Sequence, residues 1–345
     1  MSQYIILNHV QVQNANSIAG LTWGFPAITQ FLGFSHALNR KLSNQYDGFY
    51  DINLTGCAVI SNEVNNKVYQ PKKYADFEFL QSKNPPVLAI HKNSSPPIIE
   101  EGKVNLTVSL VIEIESPLLM TKEKLHQLEN DIYSECCHMK LAGGTILNIK
   151  AVKVVSGDTE DEHKKMLRNI KRLVMPGFVL LDRRQFLQEH FQAIEGKKPD
   201  ASLFEAWLDF SALEFQVAPS FNNYQENADN DKDIPWEYKA KPKSGYLVPL
   251  MTGYKAISEI YEPDEILNTR DINTPALFVE AIHSVGEWKG AHSISSIANV
   301  IWRYQHDGQW YLCTQDNKTE EKDENIELTL SKPESDSLSD VLNLL

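Results

Sequence analysis

The sequence has few of the features that mark secreted or membrane proteins. Only four of its 345 residues are cysteine, and the neighbouring Cys136 and Cys137 do not form a CxxC motif. We therefore expect reduced, structural thiols, as in a cytoplasmic protein. No run of about 18 apolar residues occurs, so we expect no membrane span. The first residues, MSQYIILNHVQVQ, lack the basic start and the cleavage site of a signal peptide.

Enzyme signatures are also missing. The sequence contains no P-loop, no GxSxG, no HExxH and no Cys/His spacing suited to zinc. We therefore predict no catalytic residues, no metal and no cofactor. One alternative stays open: His138, with Lys140 beside it and Tyr133 about one turn earlier, could form a metal-independent ribonuclease site. Otherwise His138 is an exposed or structural histidine.

Positive charge is scarce overall, since the net charge is −13. This argues against a generic nucleic-acid binder, which carries a basic surplus. The charge is uneven, however. Residues 163–184 contain seven Lys or Arg and one acid, whereas residues 316–340 contain nine acids and three lysines. Arg168 and Arg172 lie in the basic run, which predicts a track for a phosphate backbone or, alternatively, a solvated helix face.

The N-terminal half alternates strands and helices. Periodicity and turn signals predict, in chain order, a strand over 4–12, a helix opening at Pro26, strands over 54–64 and 104–115, a helix over 121–139 and a strand over 145–155. This is the ferredoxin-like order, which RNA-recognition domains share, so we expect an α+β fold with a βαββαβ core. Because Val104–Glu115 contains no aromatic residue, we do not expect bases to stack on this sheet.

The rest of the chain is less regular. Residues 65–102 are polar and rich in proline, which indicates an insertion or a pair of ribbons. Beyond Gly157 we predict helices over 160–174, 184–194, 202–215 and 274–284, strands over 178–181 and 246–250, and a loop over 222–235. The predicted domains are an RNA-recognition-like domain over 1–157, a C-terminal region over 158–315 and a disordered acidic tail over 316–345.

Two loops are candidate RNA contacts. In the first, Asn14, Asn16 and Ser17 offer polar groups to phosphates or bases, and Trp23 offers a stacking surface. Alternatively, this loop satisfies its own backbone and Trp23 lies in the core. In the second, the paired Gly143 and Gly144 let a backbone approach closely and expose N–H groups. A helix cap followed by a tight turn is the alternative there.

Five segments carry a resemblance to a known family. They are NANSIAGLTWGFPAITQFLGFSHALNRKL (14–42), EEGKVNLTVSLVIEI (100–114), MKLAGGTILNIK (139–150), RNIKRLVMPGFVLLDRR (168–184) and the segment 243–292 from KSGYLVPLM to EWKGAH. In this order they resemble the Csy-two family, the Cas-five-type tail subunit of the type I-F CRISPR surveillance complex. The other segments, including the acidic tail, do not contribute to the resemblance.

The resemblance implies an RNA-recognition-like core with a thumb-like insertion and an appended C-terminal α/β region. It also implies a heterodimer with the large tail subunit that grips the 5′ handle of the guide RNA beside the terminal backbone subunit. Target double-stranded DNA is then recognised through the complex by base pairing. Guide processing belongs to another subunit, so the resemblance implies no cleavage here. The residues that it carries over are Asn14, Asn16, Ser17, Trp23, Gly143, Gly144, Arg168 and Arg172.

Overall fold

The protein has an α+β fold; its described residues form five α-helices, a ten-stranded sheet and four two-stranded sheets. The computed structural model describes residues 2–45, 52–83, 97–115, 118, 120–218, 235–269 and 271–316. The helices are α1 (Ile28–Gln45), α2 (Lys122–Cys137), α3 (Glu160–Val174), α4 (Arg184–Glu195) and α5 (Leu203–Ser211). The strands are β1 (Ser2–Asn16), β2 (Ile18–Ala19), β3 (Thr22–Trp23), β4 (Leu54–Asn66), β5 (Val68–Tyr69), β6 (Glu78–Phe79), β7 (Ser82–Lys83), β8 (Ile98–Ile99), β9 (Lys103–Ile114), β10 (Lys140–Leu141), β11 (Gly144–Gly157), β12 (Phe178–Asp182), β13 (Phe215–Val217), β14 (Trp236–Tyr238), β15 (Leu247–Ala256), β16 (Val279–Gly290), β17 (Trp302–Asp307) and β18 (Trp310–Gln315).

The large sheet is antiparallel, with the strand order β10-β11-β1-β9-β4-β12-β16-β15-β18-β17. Strand β17 also pairs with β4, through Trp302 opposite Cys57 and Arg303 opposite Gly56. The guanidinium of Arg303 donates to both carboxylate oxygens of Glu113 on β9, at 2.7 and 2.9 Å. The sheet therefore includes strands from both predicted domains, and the boundary at residue 157 stays a prediction.

Helices α1 and α2 cover one face of β11, β1, β9 and β4. The apolar stripe predicted for α1 is buried there: Ile28, Phe31, Leu32, Leu38 and Leu42 are at most 2% exposed. The alternating apolar residues of β9, from Val104 to Ile112, join the same core. Thr121 caps α2 by accepting a hydrogen bond from Lys124 N–H, as its residue type indicates. The spacing of apolar residues in the sequence thus predicted the buried faces of α1 and β9 correctly.

Helix α3 covers part of the opposite face. Its apolar stripe of Met166, Ile170 and Val174 belongs to a second core cluster that also holds Tyr4 and Ile6 of β1 and Ile60 of β4. The helix begins with a capping box, in which Thr159 accepts from Glu162 N–H and the Glu162 carboxylate accepts from Thr159 N–H. Helix α3, which the sequence predicted, therefore covers part of the sheet face that α1 and α2 do not cover.

Two predictions for the C-terminal half were wrong in part or whole. Residues 274–284 are not a helix: strand β16 occupies most of this region and pairs with β15 on one side and β12 on the other. The Thr-Pro pair mimicked a helix start, but Val279, Ile282 and Val285 favour a strand, and the pairing on both sides fixes it. The helix predicted over 202–215 ends at Ser211, because the following segment forms a ribbon with Trp236–Tyr238. Strands β17 and β18 were not predicted.

The predicted insertion over 65–102 contains two short ribbons, β5 with β6 and β7 with β8. Three segments lie outside the described residues: 84–96 of the insertion, most of the loop predicted over 222–235, and all of the acidic tail after Asp316. No helix in the described part of the chain is long and apolar enough to cross a membrane.

Candidate nucleic-acid interface

Asn14 lies at an irregularity in β1 and is exposed. Its φ of 57° is in the left-handed region, which Asn tolerates better than most residues. The backbone N–H of Asn14 donates to Oδ1 of Asn105 at 3.0 Å, and the Lys67 ammonium group donates to Oδ1 of Asn14. The structure therefore pairs Asn14 with Lys67, a cation between β4 and β5 that the sequence did not single out.

Asn16 and Ser17 are turned towards the protein. The Asn16 side chain closes a local turn, because its Oδ1 accepts from Ile18 N–H at 3.1 Å. Ser17 is fully buried, and its N–H donates to the Gly102 carbonyl at 3.1 Å. The Ser17 hydroxyl has no hydrogen-bond partner among the residues that the structure describes. These contacts agree with the alternative interpretation, in which the polar groups of this loop are used by hydrogen bonds within the protein.

Trp23 is half-buried and packs on the insertion. Its ring meets the ring of Phe79 edge to face at 4.9 Å. Gly102 lies under the same ring, where an added Cβ would come within 2.9 Å of Trp23 Cε3. Trp23 thus joins the first loop to the ribbon formed by β5 and β6, and only part of its surface is open to a base.

The second loop is a two-residue β-hairpin turn. Ala142 and Gly143 have φ values of 50° and 74°, as in a type I′ turn, and Leu141 pairs with Gly144. An added Cβ at Gly144 would lie 2.7 Å from the Ala15 nitrogen, whereas one at Gly143 would meet nothing within 4 Å. The Asn16 N–H donates to the Ala142 carbonyl at 2.8 Å. The structure therefore brings the two predicted loops together.

The basic run divides into paired and open cations. Lys164 pairs with Glu160, Lys171 donates to the His292 carbonyl, Arg183 pairs with Glu287 and Arg184 pairs with Asp182. The other three, Lys165, Arg168 and Arg172, recur on one side of α3 and line an open groove of about 760 Å³. Within the described ranges, no carboxylate forms an ion pair with these three.

The groove runs between α3 and the end of β11. Val155 and Ser156 form its sheet side, and Asn169 accepts a hydrogen bond from Arg172 at 3.1 Å. One acid, Glu162, also lines it. Hydrogen bonds from the N–H groups of Asp158 and Thr159 lower the pKa of Glu162, so its carboxylate stays ionised at neutral pH. Three cations against one anion make the groove locally basic in a protein of net charge −13.

The loops and the groove lie at opposite ends of β1. Gln13 pairs with Thr145 beside the loops, whereas Tyr4 pairs with Val155 beside the groove. Nine residues of strand separate the two pairs, which corresponds to about 30 Å. The six loop residues therefore form one group, and Arg168 and Arg172 form another.

Three residues that matter to these sites were not predicted. Lys165 lay in the basic run, and helical spacing from Arg168 and Arg172 would have found it. No pattern in the sequence indicated a role for Lys67 or for His283 of β16. The Nε2 of His283 accepts from Leu21 N–H at 3.1 Å and so holds the turn between β2 and β3. Both contacts join residues far apart in sequence, which periodicity does not detect.

His138 has a structural role at the end of α2. Its ring Nδ1 lies 2.8 Å from the Ser134 carbonyl, one turn earlier, and its own N–H closes the helix. No hydrogen bond joins its ring to Tyr133 or Lys140 in the described part of the chain. Among the described residues, no group of three or more His, Cys, Asp or Glu could hold a metal ion.

Comparison with known proteins gives the family. The family model described as CRISPR-associated protein (Cas_Csy2) matches residues 5–313. The CRISPR-associated protein Csy2 of Pseudomonas aeruginosa (strain UCBPP-PA14) is 31% identical over 311 residues, which cover 88% of this chain and 91% of that relative. The matched region includes both loops and the basic groove. The chain therefore belongs to the Csy2 family of CRISPR-associated proteins.

Proposed function

We propose that this chain is a non-catalytic subunit of a type I-F CRISPR surveillance complex and binds the 5′ handle of the guide RNA. Family membership supports the CRISPR context. The strand order β11-β1-β9-β4, with α1 and α2 on one face, supports a ferredoxin-like core of the RNA-recognition kind. In this proposal the partners are the large tail subunit, as a heterodimer, and the terminal backbone subunit. Target double-stranded DNA is reached through the complex, in the cytoplasm.

The basic groove is the observation that carries the proposal. Nucleic-acid affinity comes largely from cations that neutralise phosphates and release counterions. Lys165, Arg168 and Arg172 provide three such cations along one helix face, and the remainder of the protein is acidic. An acidic surface elsewhere would discourage RNA from binding at other places. The groove is thus the best place on the chain for a phosphodiester backbone.

The loops supply a second contact of a different kind. Exposed Asn14, with the Lys67 ammonium group on its side chain, can meet a phosphate or a base edge. The backbone at Gly143 is open to solvent on the side where a Cβ would stand, so RNA can approach it closely. In this proposal the loops clamp the RNA backbone, and bases do not stack on aromatic residues of β9.

Reversing the groove charges tests the proposal. The full-length chain, coexpressed with the large subunit, should bind handle RNA less tightly when it carries Arg168→Glu and Arg172→Glu. Each lost phosphate contact should reduce the slope of log affinity against log salt by about 0.7 for single-stranded RNA. A matched control changes Arg40 and Lys122 to Glu, because both are exposed on helices of the opposite face. If the groove variant and the control bind equally, the groove does not hold RNA.

Two other functions would give different results. A repeat-specific ribonuclease would cleave a repeat hairpin in a way that His138→Ala abolishes, whereas the proposal predicts no cleavage. A protein–protein adaptor would bind its partner subunits without contacting the handle. Salt-dependent RNA binding that requires Arg168 and Arg172 separates the proposal from both.

A further inference from the structure

A second open cavity, of about 260 Å³, lies on the sheet itself. Strand register places its polar residues on one face: Thr107 of β9 is opposite Gln11 of β1 and Glu63 of β4, and Asn105 is opposite Asn65. Further along β9 on this face, Val111 belongs to the cluster that packs under α3. The cavity therefore occupies the part of this face that α3 leaves open.

The C-terminal end of α3 contacts a residue next to the cavity lining. Asn62 lies next to Glu63 on β4, and its Nδ2 donates to the carbonyls of Val174 and Pro176 at 2.7 and 2.6 Å. Arg172 is only two residues before Val174. The basic groove and the cavity thus share one face of the sheet, with the end of α3 between them, so one strand of RNA could reach both.

The lining is rich in neutral amides. Gln11, Gln13, Asn65 and Asn105 each provide a donor and an acceptor, which suits the edge of a nucleobase better than a phosphate. Asn105 accepts from Asn14 N–H through Oδ1, which fixes the orientation of its amide. Among the described residues, the Nδ2 group of Asn105 has no hydrogen-bond partner. It is therefore available to an acceptor on a base.

Two further side chains limit what the cavity can take. Leu147 is 60% exposed at its edge and offers an apolar surface against which the face of a base can lie. The Glu63 carboxylate accepts from the Thr107 hydroxyl at 3.4 Å and would repel a phosphate. It would instead accept a hydrogen bond from an exocyclic amino group, as acidic residues do with cytosine.

We propose that this cavity is a base-reading subsite that receives one unstacked nucleobase of single-stranded RNA. Gln11, Gln13, Asn65 and Asn105 hydrogen-bond the base edge, and Glu63 favours adenine or cytosine over uracil. The subsite rests on the proposed function, since it requires RNA on this face. It adds sequence selectivity to a site that otherwise holds only the RNA backbone.

A panel of handle RNAs tests the subsite. Each nucleotide of the handle is replaced in turn by each other base, and affinity is measured for the full-length chain coexpressed with the large subunit. The wild type should prefer adenine or cytosine over uracil about tenfold at one position, since a well-placed base contact gives discrimination of this order. Glu63→Gln should abolish that preference, whereas Gln11→Ala with Asn65→Ala should weaken binding of every base at that one position; both variants should leave the other positions unchanged. Gln188→Ala with Gln192→Ala, two exposed residues of α4, is the matched control.

The outcomes separate the subsite from the proposed function. If the wild type shows no such position, or if Glu63→Gln keeps the preference, the subsite is overturned. A uniform loss of affinity at every position also overturns it, because that result indicates general damage or a backbone contact. The proposed function is tested independently by Arg168→Glu with Arg172→Glu, so it can survive failure of the subsite. Crosslinking of a partner protein, and no RNA, to residues 105–107 would assign the cavity to a protein contact instead.

Discussion

The two ends of strand β1 present different kinds of surface. At one end, the loops around Asn14 and Gly144 are built from backbone: left-handed φ values, a tight hairpin turn and a glycine in van der Waals contact with the neighbouring strand. At the other end, the groove beside α3 is built from long cationic side chains on a regular helix. The first surface depends on the fold for its shape, whereas the second depends on the fold only to position its charges.

This difference determines how each end should respond to mutation. A substitution at Gly144 should change the free energy of unfolding, because an added side chain would meet backbone atoms of β1. We expect a substitution of the groove cations to reduce RNA binding and to leave the core under α3 intact, because Lys165, Arg168 and Arg172 are exposed.

Gly144→Val should cause the largest loss of stability. A Cβ at this position would lie 2.7 Å from the Ala15 nitrogen and 2.8 Å from the Gln13 carbonyl oxygen, neither of which can move without disturbing β1. We expect a loss of about 3 kcal/mol in the free energy of unfolding, measured by urea denaturation. Gly143→Asn is the control, since its site is open and Asn tolerates a φ of 74°. Equal losses for the two variants would show that the hairpin does not pack as described.

Thr159→Ala should have a smaller effect at the other end. It removes the capping hydrogen bond to Glu162 N–H at 3.3 Å and should lower the free energy of unfolding by about 1 kcal/mol. Because α3 carries the groove, RNA affinity should fall as well. Ser202→Ala breaks the equivalent capping box of α5, so it should cost similar stability and leave RNA affinity unchanged. A parallel loss of RNA affinity in both variants would contradict a groove specific to α3.

The smallest effect should come from His283, through pH. Burial lowers the pKa of His283 below its ordinary value of 6.5, and this outweighs the opposing effect of the Ala19 carbonyl, which lies 3.3 Å from Nε2. The unprotonated Nε2 accepts from Leu21 N–H. The stability that this neutral form contributes is therefore present above pH 6.5 and is lost as pH falls through the lowered pKa. Between about pH 7 and pH 5, wild type should lose up to about 1 kcal/mol more than His283→Gln, whose amide oxygen accepts at any pH. Identical pH profiles in urea denaturation would show that His283 does not hold this turn.

Much of the N-terminal half could be predicted because its signals are local. The alternation in β9 and the stripe from Ile28 to Leu42 each follow one period, and burial confirms both. The capping residue Thr121 likewise located the start of α2. In these elements, propensity, pattern and tertiary packing agree.

The remainder depended on contacts between distant residues. Residues 279–290 form a strand because β12 and β15 pair with them, and neither pairing is visible in the segment itself. The basic run gave the correct helix, but only the structure shows that Lys164 and Lys171 are engaged while Lys165 is open. The loop residues were brought together as a group, yet Ser17 and Trp23 proved more buried than a binding role suggests.

The most direct test of the proposed function is crosslinking within the assembled complex. A guide RNA with photoreactive nucleotides in its 5′ handle is incorporated, the complex is irradiated, and the peptides of this chain that carry RNA adducts are identified. The proposal predicts adducts in residues 14–23 and 141–172, which contain the two loops and the groove-lining face of α3. Adducts confined to other residues of the chain, or none at all, would contradict it.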